Sequence, residues 1–209
     1  MLKKAALAVL LLLSAILAFI STREATYSVS RSTTISAPAE VVFGMVDDLH
    51  EWVKWSPWDS LDPEMTKTFS GPKSGVGASY SWSGNDAVGK GTMTIIESRP
   101  PNEVSYRLEF VEPWASTSNP GFTIEKEPDG VYVTWTITGE HRFIGKAMSL
   151  FVDLDQEIGP DFERGLDSLK ARAESEAKSR AEEAERSAAA AAAASAHPST
   201  EEPVSDDGD

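Results

Sequence analysis

The chain has no cysteine and only three histidines in 209 residues. Disulfides, thiolate metal sites, a cysteine nucleophile and a lipidated N-terminal cysteine are therefore excluded, and His50, His141 and His197 are too far apart in sequence to form a paired-histidine metal motif. Basic residues are also scarce. Nineteen Lys and Arg against 33 Asp and Glu leave a formal charge of -14. Phosphate backbones are held by clustered Lys and Arg, so nucleic acid is not expected as a partner. Large apolar residues form one long run, at the N-terminus, and nowhere else.

That run extends from Ala5 to Ile20, is interrupted only by Ser14, and follows Lys3 and Lys4. At about 1.5 Å per residue, residues 5–22 span roughly 27 Å as a helix, close to a hydrocarbon core of about 30 Å. A cleavable signal needs small residues at positions -3 and -1, whereas cleavage after Ala18 or Ser21 would put Ile16 or Phe19 at -3. Residues 1–22 are therefore read as an uncleaved anchor, with Lys3 and Lys4 cytoplasmic and the rest on the periplasmic side of a bacterial inner membrane. A cleaved signal and release into the periplasm is the alternative.

Residues 27–174 read as one α+β domain. Tyr27 to Ile35 alternates as a half-buried strand in which Arg31 falls on the apolar row, either paired with a carboxylate or anchoring an acidic ligand. Pro38 and Glu40 open a short helix with Val41, Val42, Met45 and Val46 on its core side. Asp47, Asp48, His50 and Glu51 read as a solvated connector, because adjacent carboxylates diverge on a short helix and a metal would find one histidine. Trp52, Trp55 and Trp58 follow three apart, as a core plug or as an aromatic gate over a pocket.

Strands are expected over 65–69, 78–83, 92–98, 104–110, 115–126 and 131–138. The fifth of these is interrupted by Asn119-Pro120-Gly121, because proline cannot donate to a ladder. Gly84 to Lys90 imitates a phosphate-binding loop, but Gly91 replaces the metal-binding hydroxyl and a strand follows where a helix is required, so a hairpin loop is expected. Met148, Phe151, Val152, Leu154 and Ile158, then Phe162, Leu166, Leu169 and Ala173, recur at helical spacing from Phe143 to Arg172. Gly159-Pro160 should divide or kink that helix. Residues 175–209 are expected to project as an alanine-rich helix and then lose order in a Pro, Ser, Glu and Asp tail. Strands with one apolar row each bury that row by curving around the C-terminal helix.

Several local motifs point the same way. Trp52-Val53-Lys54-Trp55-Ser56-Pro57-Trp58 with Asp62-Pro63, Ser70-Gly71-Pro72, Gly75-Val76-Gly77-Ala78 and Tyr80-Ser81-Trp82 are followed by Val133-Thr134-Trp135 and Gly159-Pro160-Asp161-Phe162-Glu163 with Gly165-Leu166. In these the sequence resembles the polyketide cyclase/dehydrase-like family of the SRPBCC (START-like) superfamily. The resemblance implies a helix-grip fold: a curved seven-stranded antiparallel sheet around a long C-terminal helix, with two short helices after the first strand. It also implies an apolar cavity between sheet and helix. Trp55, Trp58, Tyr80, Trp82, Met93 and Tyr106 are placed at its walls, together with Leu108, Phe122, Trp135, Met148 and Phe151.

No cofactor and no metal is expected, and a protein partner is not identifiable from sequence. The expected function is a membrane-tethered binding module for a lipid or other hydrophobic small molecule. An enzyme of the cyclase or dehydratase kind would need a positioned acid or base. His50, His141 and His197 lie in the connector, at a strand end and in the tail, while Glu97 and Glu109 are strand carboxylates. A third reading is an interaction module that recruits a partner through its C-terminal tail.

Overall fold

The computed structural model describes residues 2–22, 24–140, 143–150 and 152–195. His141, Phe151, His197 and the acidic tail, to which expectations were attached, lie outside the described residues. A helix, α1 (Leu2–Ser21), leads into β1 (Thr26–Ile35), α2 (Ala39–Asp47) and α3 (Leu49–Trp52). Six strands follow: β2 (Thr66–Ser70), β3 (Ser79–Ser83), β4 (Lys90–Arg99), β5 (Glu103–Glu112), β6 (Ser116–Glu127) and β7 (Gly130–Glu140). Two helices close the fold, α4 (Phe143–Met148) and α5 (Leu154–Ser195).

The strands form one antiparallel sheet in the order β1-β7-β6-β5-β4-β3-β2, so the first strand in sequence pairs with the last. This is the curved sheet of a helix-grip fold. Val131, Val133, Trp135 and Ile137 of β7 are buried on alternate positions, and Phe122 and Ile124 of β6 continue the row. Phe162, Leu166, Leu169 and Ala173 of α5 are fully buried within the same core. An aromatic cluster runs between the layers, with Trp135 stacked on Phe162 at 4.1 Å and 6° and on Phe122 at 5.0 Å and 25°.

The C-terminal helix departs from expectation in where it breaks. It is not divided at Gly159-Pro160: Pro160 lies inside α5, while α4 ends at Met148 and α5 begins at Leu154. Asp153 explains the start, because its carboxylate accepts from the Asp155 N–H at 3.0 Å and from Gln156 at 3.1 Å, capping the first turn. Arg31 explains the continuity. Its guanidinium lies against Gly159 and bonds Asp155 and Glu163 on either side at 2.7 Å, splinting the helix where proline removes a donor. The apolar stripe is consequently shorter than the spacing suggests, and Met148 and Val152, at 43% and 39% exposed, face away from the core.

Pro120 behaves differently on its two sides. Toward β7 the ladder is unbroken, with Pro120 opposite Ile137. Toward β5 pairing lapses between Ser105↔Gly121 and Leu108↔Ser118 without a change of register. The expected interruption is thus confined to one edge of β6, where a missing N–H is felt.

Register also defines the two ends of the sheet. Thr66 opposite Ser83, Lys90 opposite Glu112, Phe110 opposite Ser116 and Thr26 opposite Glu140 gather the β3–β4 and β5–β6 loops, the end of β7 and the start of β1 at a first end. There α1 joins, its Ser21 carbonyl accepting from Lys146 of α4 at 3.5 Å. The second end holds the β4–β5 and β6–β7 turns and Ser36, whose N–H is bonded at 3.0 Å by Glu174 of α5. Running from the first end to the second, α5 leaves the sheet there, and beyond Lys178 its described side chains are solvent-exposed.

The connector is less solvated than expected. Asp47 and Asp48 are buried, tied to Ser98 Oγ at 2.7 Å and to the His50 ring at 3.1 Å. Among the described residues no helix is long and apolar enough to cross a membrane; within α1 the described side chains run unbroken only from Leu10 to Ser21. The expected anchor is therefore not supported by the described residues. Leu10, Leu11, Leu12, Leu13, Leu17 and Phe19 nevertheless all face solvent.

Candidate functional site

A cavity of about 200 Å³ lies between the sheet and α5. Trp82, Met93, Leu108 and Trp135 form its floor on four strands, Ile158 and Phe162 its wall on α5, and Trp52 and Trp58 its side. Ala87 and Val88 of the β3–β4 loop, with Phe110 and Pro120, extend it toward the first end of the sheet. A second recess, about 270 Å³, lies outside the grip against the Gly71-Pro72 turn, walled by Leu49, His50 and the exposed Lys73. The smaller internal one is the candidate site, because it is the one enclosed by sheet and helix and its walls are aromatic and aliphatic.

Of the eleven residues expected at the walls, the cavity gathers Trp58, Tyr80, Trp82, Met93, Leu108 and Trp135. Trp55, Tyr106 and Phe122 are buried but belong to the packed layer beside it. Their polar atoms show why: Trp55 Nε1, on the turn after α3, donates to the Met45 carbonyl of α2 at 3.0 Å, and Tyr106 Oη of β5 donates to the Val46 carbonyl at 2.6 Å, stitching α2 to the sheet. Met148 is exposed on α4. Trp52 and Trp58 line the cavity, while Trp55 is buried in the packed core. Phe110, Ile137, Ile158 and Phe162 were missed as walls. Their alternation and helical spacing marked them as inward-facing, but spacing cannot separate wall from filled core.

Local sequence builds these walls. Trp82 lies across Gly91, where an added Cβ would come within 2.7 Å of its ring, and its Nε1 donates to the Val88 carbonyl at 2.9 Å. The Gly84–Gly89 turn thus closes a hairpin and holds a cavity wall, which is the use of glycines that imitate a phosphate loop. On α5, Gly165 leaves room for the edge of Trp135, 2.7 Å from where a Cβ would sit.

A few polar groups interrupt the apolar lining. Ser56 Oγ and Trp135 Nε1 are buried and have no hydrogen-bond partner among the described residues. Tyr80 Oη meets the Met65 sulfur at 3.9 Å. Burial, and secondarily the charge of Asp59, pushes the Tyr80 hydroxyl well above its ordinary range, so it stays protonated. Asp59 itself is ion-paired with Lys67. A buried donor without a partner costs on the order of 1–3 kcal/mol, a local cost carried by two residues beside the cavity. Among the described residues no cluster of His, Asp and Glu has the arrangement of a metal site.

Residues 26–174 match the family described as polyketide cyclase / dehydrase and lipid transport. The chain belongs to that family. No curated protein matches it. Solved structures agree on the family's fold at low identity. CV1439 from Chromobacterium violaceum is 14% identical with a TM-score of 0.52, over 70% of this chain and 96% of its own. MLL2253 from Mesorhizobium loti is 17% identical with a TM-score of 0.51, over 69% and 95%. The di-domain aromatase/cyclase StfQ of the steffimycin biosynthetic pathway is 11% identical with a TM-score of 0.54, over 74% of this chain and 52% of its own. The family's description spans chemistry and transport.

Proposed function

We infer that this family member is a non-enzymatic binding module that holds a hydrophobic small molecule, or a segment of a lipid, between sheet and α5. The observation that carries this reading is the apolar cavity between sheet and helix. Size narrows the ligand. About 200 Å³ modestly exceeds the roughly 150 Å³ of an engineered cavity that admits benzene. One or two rings or a short alkyl segment fit as the walls stand; a whole acyl chain requires the rim to part.

The module is tethered by residues 5–22 to a bacterial inner membrane, with Lys3 and Lys4 in the cytoplasm and the domain in the periplasm. Support comes from the apolar sequence of α1 and from the exposure of its described leucines on all sides, a pattern water does not favour. The cyclase or dehydratase alternative has Tyr80 and Asp59 as its acid-base candidates on the cavity wall, and Asp59 is already occupied by Lys67.

Titration of the purified chain with a fluorescent fatty acid and with a naphthol-sized aromatic should give saturable binding. Leu108→Trp, which fills the floor, should weaken it at least 10-fold while the fold survives at a cost of about 1–3 kcal/mol. Unsaturable binding, or binding indifferent to that substitution, would overturn the reading.

A further inference from the structure

Outside α1, nine large apolar side chains are exposed among the described residues, and six of them gather at one end of the molecule. Val111 lies near the end of β5 and Trp114, 71% exposed, on the β5–β6 loop; Leu61 precedes β2 beside Asn85 of the β3–β4 loop; Met148, Leu150 and Val152 lie on and after α4. The register assembles them at the first end of the sheet, toward which Val88, Phe110 and Pro120 extend the cavity. The exposed leucines of α1 reach the same end, where Ile20 is buried and Ser21 meets Lys146. The opposite end is charged, with Glu97, Arg99 and Glu103 at one turn and Glu127 and Asp129 at the next, and α5 departs from it.

We propose that this end is a membrane-docking rim: Trp114 and its apolar neighbours lie in the headgroup boundary of the bilayer, and the cavity loads and unloads through them. A patch of this kind beside an apolar helix marks an interaction face, and tryptophan is the side chain that suits the membrane–water boundary, offering apolar area with one donor. Charge at the rim is mixed, Lys90 and Lys146 against Glu112 and Glu140, so attraction to anionic lipid contributes little and docking is apolar. The proposal rests on the anchored-module reading and adds the orientation of the domain and the route of its ligand.

The experiment uses the full chain reconstituted into phosphatidylcholine–phosphatidylglycerol vesicles, some with brominated acyl chains. Bromolipid should quench a tryptophan component that is missing in Trp114→Phe, and that component should persist at high salt. Trp114→Ser combined with Leu150→Ser should slow uptake of the fluorescent fatty acid from vesicles at least 10-fold, while its binding from detergent solution is unchanged. Trp114 quenched by iodide and untouched by bromolipid, or a chain that does not float with the vesicles, overturns the proposal. Bromolipid quenching of Trp114 in a chain that binds no fatty acid in either setting upholds the rim and rejects the cavity as a carrier site, so the two failures are told apart.

Discussion

At the scale of single residues, two side chains show how polar and aromatic atoms are fitted into an apolar interior. Tyr106 is fully buried and donates to the Val46 carbonyl, so Tyr106→Phe removes a bond and leaves that carbonyl unmet. The expected cost is about 1–3 kcal/mol, read as a lower urea midpoint with an unchanged slope. Gly165 makes the opposite case to the usual helix rule. Alanine in place of a helical glycine ordinarily stabilises by up to about 1 kcal/mol, yet here the new Cβ would meet the Trp135 ring at 2.7 Å and Pro57 at 3.2 Å. Gly165→Ala should therefore destabilise and shift the near-ultraviolet signal of the aromatic stack; a gain in thermal midpoint would contradict this contact.

At the scale of elements, α5 is one helix with two halves of different use. Its first half is held by Phe162, Leu166, Leu169 and Ala173, and by Glu174 on Ser36. Its second half, beyond Lys178, is exposed and kept helical by Glu176–Arg180 at 2.8 Å, by Glu182 and by alanine propensity. Truncation after Lys178 is accordingly expected to leave the thermal midpoint within a few degrees and ligand binding unchanged, measured by calorimetry and titration; a collapse of the domain would mean that the projecting half carries packing of its own. The break before α5 was not legible, because Met148, Phe151 and Leu154 recur every three residues in the sequence across a gap that only the Asp153 cap reveals.

At the scale of the whole molecule, stability should be bounded by pH on both sides. Burial would raise the Asp48 carboxyl, but hydrogen bonds from the His50 N–H and ring and from Lys73 outweigh it and hold the group low. Lys54, against burial and with Arg172, lowers Glu51, and Arg31 lowers Asp155. Each ionises more readily folded than unfolded, so its contribution is complete above an unfolded pKa of about 4 and lost as pH falls through the folded value. Burial, then the charge of Asp47, pushes the Tyr106 hydroxyl well above its ordinary value. The folded chain keeps that proton longer than the unfolded one, so stability falls as pH rises past about 10. Denaturant midpoints measured across pH should decline on both flanks, and Asp48→Asn should flatten the acid flank; a midpoint unchanged down to pH 3 would remove these pairs from the account.

What the sequence alone determined is what periodicity carries. Alternation in β1, β5 and β7 and the three-and-four spacing of Phe162 to Ala173 each assign a face to water or to the core, and seven such strands with one such helix leave few ways to bury every apolar row. The tertiary structure alone decided which buried residues pack and which line a space. Tyr106 and Leu108 alternate on the same strand with the same pattern, yet one is stitched to Val46 and the other faces the cavity. That outcome depends on the distance between sheet and helix, which Gly165 and the Arg31 splint set through contacts between residues far apart in the chain, where no local pattern can register them.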